Sequence, residues 1–188
     1  MGSLLQLDFS ILNFIQEYIA SPLCDTLFEA VTHLGDGGYF WIGIALVSLI
    51  FKKTRKMGIC ILLGLIIGSL ICNVTLKPLV ARPRPYTYPD AWLTVNDLLI
   101  AKPGDHSFPS GHTTSCFAAA MAILLHNKKW GIPAFVVAVL VAFSRLYLYV
   151  HFPSDVLAGV VIGLVSGLAA CMIADHINKL IMHAKKST

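Results

Sequence analysis

The chain has 188 residues, of which 56% are hydrophobic and 13% charged, and its mean hydropathy is +0.74; an ordinary soluble domain carries about 25% charged residues. Fourteen Lys and Arg against ten Asp and Glu leave a net charge of +4. These values argue against a water-solvated core and exclude a disordered chain, a collagen-like repeat and a disulfide scaffold, and the modest charge forms no continuous basic face for nucleic acid.

The N-terminus, MGSLLQLDFSILNF, has no Lys or Arg before its apolar part and no A-x-A-like cleavage site, unlike a cleavable signal peptide. Within residues 1–36, Asp8, Glu17, Asp25, Glu29 and Asp36 interrupt the apolar residues. Leu12, Ile15 and Ile19 lie at helical spacing, which suits an amphipathic helix at the membrane interface, followed after Pro22 by a half-buried helix or a sixth span.

Crossing a bilayer takes about 20 mostly apolar residues. Residues 57–76 and 156–174 carry no charge at all, and residues 131–150 carry only Arg145, close to one end. Residues 37–51 and 108–125 are shorter spans, the latter opening on Pro109-Ser110-Gly111-His112. The expected fold is an all-α integral-membrane bundle of five or six transmembrane helices. It forms a single domain over residues 1–188, with an N-terminal segment at 1–36 and a core bundle at 37–186.

Lys52, Lys53, Arg55 and Lys56, then Lys128 and Lys129, then Lys179, Lys185 and Lys186 fall on one side of these alternating spans. The positive-inside rule makes that side the cytoplasm. Lys77, Arg82, Arg84, Lys102 and Arg145 fall at the opposite face and need another reason to be there. Gly64 and Gly68, and Gly159, Gly163 and Gly167, form G-x-x-x-G patterns suited to close helix packing within the chain or to a homodimer. Cys24, Cys60, Cys72, Cys116 and Cys171 show no C-x-x-C pair and no companion His at zinc-finger spacing, and read as small apolar residues within helices.

Three stretches bring polar residues to the outer ends of the spans: Lys77 to Arg84-Pro85, then Pro109-Ser110-Gly111-His112, then Ser144-Arg145 with His151 and Asp155. Singly, most have plainer roles. Arg145 can snorkel, Asp155 can cap the last span after Pro153, and Ser110 can cap the third. Together they form a site for a multiply charged anion, and an ionisable residue inside a span points to function by default.

A phosphate monoester carries about −1.5 to −2 at neutral pH. Lys77, Arg84 and Arg145 neutralise it, the arginines through forked donors, while backbone N–H groups at Ser110 and Gly111 add a helix-N-terminal cradle. Each cation about 4 Å away contributes roughly 4 kcal/mol at an effective dielectric near 20, before desolvation. Asp155 bonded to one nitrogen of His151 leaves the other lone pair free to attack phosphorus, and His112 protonates the leaving alkoxide. His151 must be neutral and His112 protonated in the same step, which predicts a bell-shaped pH profile. No Asp/Glu cluster with metal-ligand spacing appears at this face, and fixed cations repel Mg²⁺, so the expected catalysis needs no metal and no cofactor.

The three stretches resemble the motifs K-x6-R-P, P-S-G-H and S-R-x5-H-x3-D of the type 2 phosphatidic acid phosphatase superfamily, in its bacterial integral-membrane branch. They stand in order over residues 77–155. The resemblance implies Lys77, Arg84, Ser110, Gly111 and Arg145 on the phosphate, His112 as general acid, His151 as nucleophile through a phosphohistidine, and Asp155 orienting it. Its spacing selects Arg84 over Arg82, leaving Arg82 for a secondary phosphate or headgroup contact. Soluble relatives that resemble vanadium haloperoxidases share the motifs, and composition argues against that branch here. Family members of this size are typically six-helix lipid phosphatases, which favours a membrane role for the segment before Gly37.

The expected activity is hydrolysis of a lipid phosphate monoester or diphosphate, with phosphatidic acid, phosphatidylglycerol phosphate and undecaprenyl diphosphate as substrates to compare. Orientation and chain length favour the outer leaflet of a bacterial cytoplasmic membrane, as in envelope lipid recycling. Residues 86–105, with Tyr88, Trp92, Asn96, Asp97 and Lys102, lie over the mouth as the headgroup filter, their aromatics serving also as interfacial anchors. The competing class, an anion transporter or channel, predicts charges at mid-depth and an inverted repeat. The charges sit instead at one end of the spans, and no repeat is seen.

Overall fold

A computed structural model describes residues 2–186; Met1, Ser187 and Thr188 lie outside it, as do the side chains of Lys185 and Lys186, two of the nine basic residues assigned above to the cytoplasmic side. Its regular elements are all helical: α1 (Ser3–Tyr18), α2 (Pro22–Thr32), α3 (Tyr39–Ile50), α4 (Arg55–Ser69), α5 (Lys77–Val80), α6 (Gly111–His126), α7 (Lys128–Tyr147) and α8 (Pro153–Lys186). α1 is the amphipathic helix its periodicity predicts. Leu12 and Ile15 are buried and Ile19 packs partly behind them, against the turn at residues 147–152.

α2 starts with Pro22 in its first turn, and Ser21 accepts a hydrogen bond from the Cys24 N–H at 3.4 Å. The chain then passes through a tight turn, His33–Gly38, directly into α3. Gly37 and Gly38 have φ of 55° and 70°, a region in which a Cβ is strained. α2 is the helix expected after Pro22 and α3 the one expected from residue 37, and together residues 22–50 form one apolar stretch broken at Asp36 and Gly37. The break holds Asp36 at the bundle's end.

Four stretches are long and apolar enough to cross a membrane: Pro22–Ile50, Arg55–Thr87, Lys128–Tyr147 and Pro153–Ala184. The fifth expected span, α6, has 16 residues, about 24 Å of helix, and runs from the cavity end of the bundle to the end where Cys60 meets His126. It is also the central post of the bundle. Cys116, Ala118, Ala119, Ala120 and Ala122 are fully buried on it, and their small side chains let α4, α7 and α8 approach closely. The outer surface is apolar, with Val47, Ile66, Val139, Val161, Val165 and Met172 exposed as for a lipid-facing bundle.

The glycine patterns are used up inside the chain. A Cβ on Gly159 would lie 2.8 Å from Ser110 O, one on Gly163 2.6 Å from Thr114 O, and one on Gly64 3.4 Å from the Cα of Gly167. These glycines seat α4 and α8 against α6 and against each other, so the stripes do not form the outward dimer face considered above.

α4 and α7 run towards the end of the bundle from which α6 and α8 start, which gathers Lys77, His112, Arg145 and His151 at one end. At the other end Lys56 pairs with Asp175, and Cys60 meets His126.

Candidate active site

The strand-like stretch Ala81-Arg82-Pro83-Arg84-Pro85 decides where the cations go. Ala81 ends α5 in the left-handed region, at φ 47°, and the two prolines hold the residues before them extended. Strict alternation along an extended chain would put residues 82 and 84 on the same side, yet Arg84 enters the cavity and Arg82 turns away from it.

Arg82 is fully occupied elsewhere. Its Nη1 donates to Asp155 Oδ1 at 2.6 Å and to Ser154 Oγ at 2.7 Å, its Nη2 donates to Asp8 Oδ2 at 2.8 Å, and its guanidinium lies 4.0 Å above the Phe152 ring centroid. It holds α1 to the start of α8, which corrects its reading as a secondary phosphate or headgroup contact. Asp8, buried on the apolar stripe of α1, is its counter-charge.

Arg84 is buried and spans the site. Nη1 donates to Val150 O at 2.6 Å and lies 3.3 Å from His151 Nε2; Nε donates to Asp105 O at 2.9 Å, and Nη2 to Asp105 Oδ1 at 2.5 Å. Lys77 Nζ donates to the other Asp105 oxygen. One carboxylate thus bridges the two cations. Burial pushes the Asp105 pKa up, but the hydrogen bond and charge of Lys77, with Arg84, more than offset this and hold it at about 2.

Arg145 is buried near the end of α7, with Nη1 donating to Thr32 Oγ1 at 2.5 Å. Its Nε is buried without a hydrogen-bond partner among the described residues. A desolvated donor of this kind carries a cost that an oxyanion would remove.

His151 sits in the turn between α7 and α8, whose Tyr149 adopts φ 58°, a strained value for a residue with a Cβ. The strain is held by a buried ring whose hydroxyl donates to Asn13 Oδ1 at 2.8 Å and accepts from the Trp92 N–H at 3.1 Å. With Arg84 donating towards Nε2, the proton of the neutral imidazole belongs on Nδ1, facing Asp155 Oδ2 at 3.6 Å. That contact is longer than a hydrogen bond, and catalytic contacts of this kind are often long before substrate binds. Burial pushes the His151 pKa down to about 3; Asp155 opposes the shift, while Arg84 and Arg145 reinforce it.

Asp155 occupies the third position of α8, where Oδ2 accepts from the Phe152 N–H at 2.9 Å and from Ser107 Oγ at 2.5 Å. It stands inside the first turn rather than at the N-cap expected of it, reaching back to the residue before the helix, and is the neighbour of His151. His112, at the start of α6, has Nε2 2.8 Å from Asp36 Oδ1.

Ser110 departs from expectation. Its N–H donates to the Asp155 carbonyl at 3.1 Å, and its Oγ accepts from Thr113 N and Thr113 Oγ1 as the cap of α6. The Ser110 half of the backbone cradle is thus engaged within the protein. Gly111 lines a cavity, and a Cβ there would lie 2.9 Å from Asn73 Oδ1.

Lys77, Arg84, Arg145, His112 and His151 line one cavity of about 260 Å³, together with Thr32, His33, Asp36, Ile100, Ala101, Pro103 and Asp105. A second cavity of about 390 Å³ shares Lys77, Asp105 and His112 and runs between α3, α4 and α6 past Ile42, Leu65 and Asn73. From the 86–105 loop, Ile100, Ala101, Pro103 and Asp105 face the site. Tyr88 instead packs edge-on against Phe9 and Phe152, Trp92 is half exposed, and Asp97 accepts bonds from Thr94 in its own turn.

Sequence reasoning missed Asp36, Thr32, Asp105 and Ser107. Asp36 beside Gly37-Gly38 and Asp105 shortly before Pro109-Ser110-Gly111-His112 carried some local signal; Thr32 carried none. The carboxylates do converge here, but Asp36 is committed to His33 and His112, Asp105 to Lys77 and Arg84, and Asp155 to Arg82. Among the described residues they do not gather at metal-ligand spacing.

A bundle with a lipid-facing surface that directs its buried cations and histidines at one cavity belongs to the class of membrane proteins built to hold a multiply charged anion. Residues 58–178 match the PAP2 superfamily, and the chain belongs to that family. An undecaprenyl-diphosphatase of Sulfolobus acidocaldarius is 39% identical over 126 residues, which cover 66% of this chain and 59% of that protein. This chain therefore aligns with less than two thirds of that relative's length. A lipid A 4'-phosphatase of Porphyromonas gingivalis is 31% identical over 168 residues, covering 85% of this chain and 68% of that protein. Among solved structures, the transmembrane PAP2-type phosphatidylglycerolphosphate phosphatase of Bacillus subtilis superposes with a TM-score of 0.75 at 27% identity, covering 94% of this chain and 89% of that one.

Proposed function

We propose that the chain is a metal-independent lipid phosphatase working through a phosphohistidine at His151. The observation that carries this reading is the position of His151 Nε2. It lies 3.3 Å from Arg84 Nη1 on the wall of a cavity that Lys77, Arg145 and His112 also line.

The phosphate displaces the Asp105 carboxylate from Lys77 and Arg84 and takes a third contact from Arg145, with the Gly111 N–H at the start of α6 as a further donor. Three fixed cations then hold the oxygens in a desolvated site, where preorganised charge contributes most to catalysis. The Nε2 lone pair forms the N–P bond as the P–O bond to the lipid breaks, and His112 gives its proton to the departing oxygen. Asp155 holds the Nδ1 proton and stabilises the charged ring. Neutral His112 then takes a proton from water as the water oxygen attacks phosphorus, the N–P bond breaks, and inorganic phosphate leaves.

The second cavity, between α3, α4 and α6, is where the remainder of the lipid headgroup and the start of its chain would lie. The substrate class is a prenyl or glycerolipid monoester or diphosphate. Relatives that act on a diphosphate, a lipid A phosphate and a glycerolipid phosphate support the class without selecting a member of it. The basic residues at the opposite end of the bundle support a site on the extracytoplasmic side of a bacterial cytoplasmic membrane. A transporter is not favoured, because the buried cations cluster at one end of the bundle.

Purified protein in detergent should release phosphate from phosphatidic acid, phosphatidylglycerol phosphate or undecaprenyl diphosphate in the presence of EDTA. Loss of activity in EDTA that Mg²⁺ restores would contradict the metal-free chemistry. A side-by-side assay of the three lipids ranks the substrates.

A further inference from the structure

At the end of the bundle away from the phosphate cavity, three helices bring together Cys60 of α4, His126 at the last position of α6 and Cys171 of α8. The sequence keeps them far apart and gives no motif, so only the fold shows the cluster. One ligand atom from each lies within 4.8 Å of the others, and both cysteines are buried. We infer that this cluster is a structural site for a thiophilic divalent cation of the zinc class, clipping α4, α6 and α8 together.

The donor chemistry selects the metal. Two thiols and an imidazole are soft or borderline ligands, which suit Zn²⁺ and not Mg²⁺ or Ca²⁺. Geometry agrees: a tetrahedron with Zn–S of about 2.3 Å and Zn–N of about 2.1 Å has edges of roughly 3.6 to 3.8 Å. Cys60 Sγ lies 3.8 Å from His126 Nε2. The other ring nitrogen, Nδ1, is 2.8 Å from the Ala122 carbonyl. Donating its proton there leaves the Nε2 lone pair directed at the cluster, the outer-shell arrangement that fixes metal-binding histidines.

Charge balances as well. Both thiols lose their protons to solvent on binding, and two thiolates neutralise one divalent ion in apolar surroundings. Asp175, one turn beyond Cys171, stays outside the cluster in a pair with Lys56, which leaves the fourth position to a water. His126 is fourteen residues from His112, about 21 Å along α6, so the ion stands outside the phosphate chemistry.

The test uses the full chain in detergent, reduced, stripped with chelator and titrated with Co²⁺. One equivalent should produce thiolate-to-cobalt charge-transfer absorption and the visible bands of a tetrahedral ion, and Zn²⁺ should bleach both. Cys60→Ser and Cys171→Ser should each abolish the charge-transfer band, and His126→Ala should weaken binding by at least about 10-fold. Cys24→Ser, outside the cluster, should leave the titration unchanged. Phosphate release by each variant reports that it has folded. Absence of the band in active wild-type protein would overturn the proposal, as would its persistence in the Cys60→Ser/Cys171→Ser double variant. A Cys60–Cys171 disulfide that forms readily while the reduced protein takes up no Co²⁺ would overturn it equally.

Discussion

Asp36 Oδ1 lies 2.8 Å from His112 Nε2, and the other oxygen of the same carboxylate lies 2.7 Å from His33 Nδ1. The carboxylate is held there by the break at Gly37 and Gly38, far in sequence from the histidine it touches. Burial and Arg145 hold the His112 pKa down at about 4, and the Asp36 carboxylate opposes them by favouring the imidazolium, the form a general acid needs. Asp36→Asn should therefore lower kcat by about 10- to 100-fold, below the full 10²–10⁴ contribution of a general acid, and move the alkaline limb of the pH profile to lower pH. An unshifted limb would reduce Asp36 to a structural role.

The acid side of the stability profile belongs to His151, His112 and Asp105, the His112 pKa being held down at about 4 by burial and Arg145. The His151 pKa falls from 6.5 to about 3 in the fold, so the fold favours the neutral ring. This contribution is complete above pH 6.5 and is lost as pH falls towards 3. The Asp105 pKa falls from 3.8 to about 2, so its contribution is complete above 3.8 and is lost below that. Thermal unfolding in detergent should show Tm declining from about pH 6.5 downwards. His151→Gln should reduce the decline between pH 6.5 and 3 without removing the share that His112 contributes down to about pH 4, and Asp105→Asn should change only the lowest part.

Arg82→Gln should act on stability first. It leaves Asp8 and Asp155 buried without their shared cation, and breaking a buried pair costs roughly 3–5 kcal/mol. Asp8→Asn should lower Tm as well, and the double variant should cost less than the sum because both remove one contact. Additive losses would show that the two residues act independently.

Much of the helical architecture was legible because hydropathy reports lipid contact directly, and the cavity-facing cations and histidines were legible because charges at span ends are expensive and few. The pairings were not. Asp36 with His112, Asp105 with Lys77 and Arg84, and Cys60 with His126 join residues whose proximity exists only once α3, α4, α6 and α8 have packed. Arg82 and Arg84 were separable in the sequence only through the motif spacing, which selects Arg84, and the destination of Arg82 depended on Asp8, in a helix whose docking no local pattern specifies. The short central helix was legible as a crossing segment but not as the buried post of the bundle, because Ala-rich burial and lipid burial produce the same hydropathy.

The α6–α8 contact predicts a sharp contrast between glycines. Gly163→Val must push α8 away from Thr114 O and Phe117, and should cost about 1–3 kcal/mol or more. Gly43→Ala meets nothing within 4 Å and should stay within about 0.5 kcal/mol of wild type. Equal effects at the two positions would contradict the close approach of α8 to α6.

The phosphohistidine itself can be trapped. Protein mixed with lipid substrate carrying labelled phosphate and quenched within a turnover should hold label in an acid-labile, base-stable linkage on His151. His151→Ala should carry no label and release no phosphate while unfolding as a folded bundle, and His112→Ala should slow both formation and loss of the label. Full activity in His151→Ala, or label on any other residue, would contradict the assignment of His151 as the nucleophile.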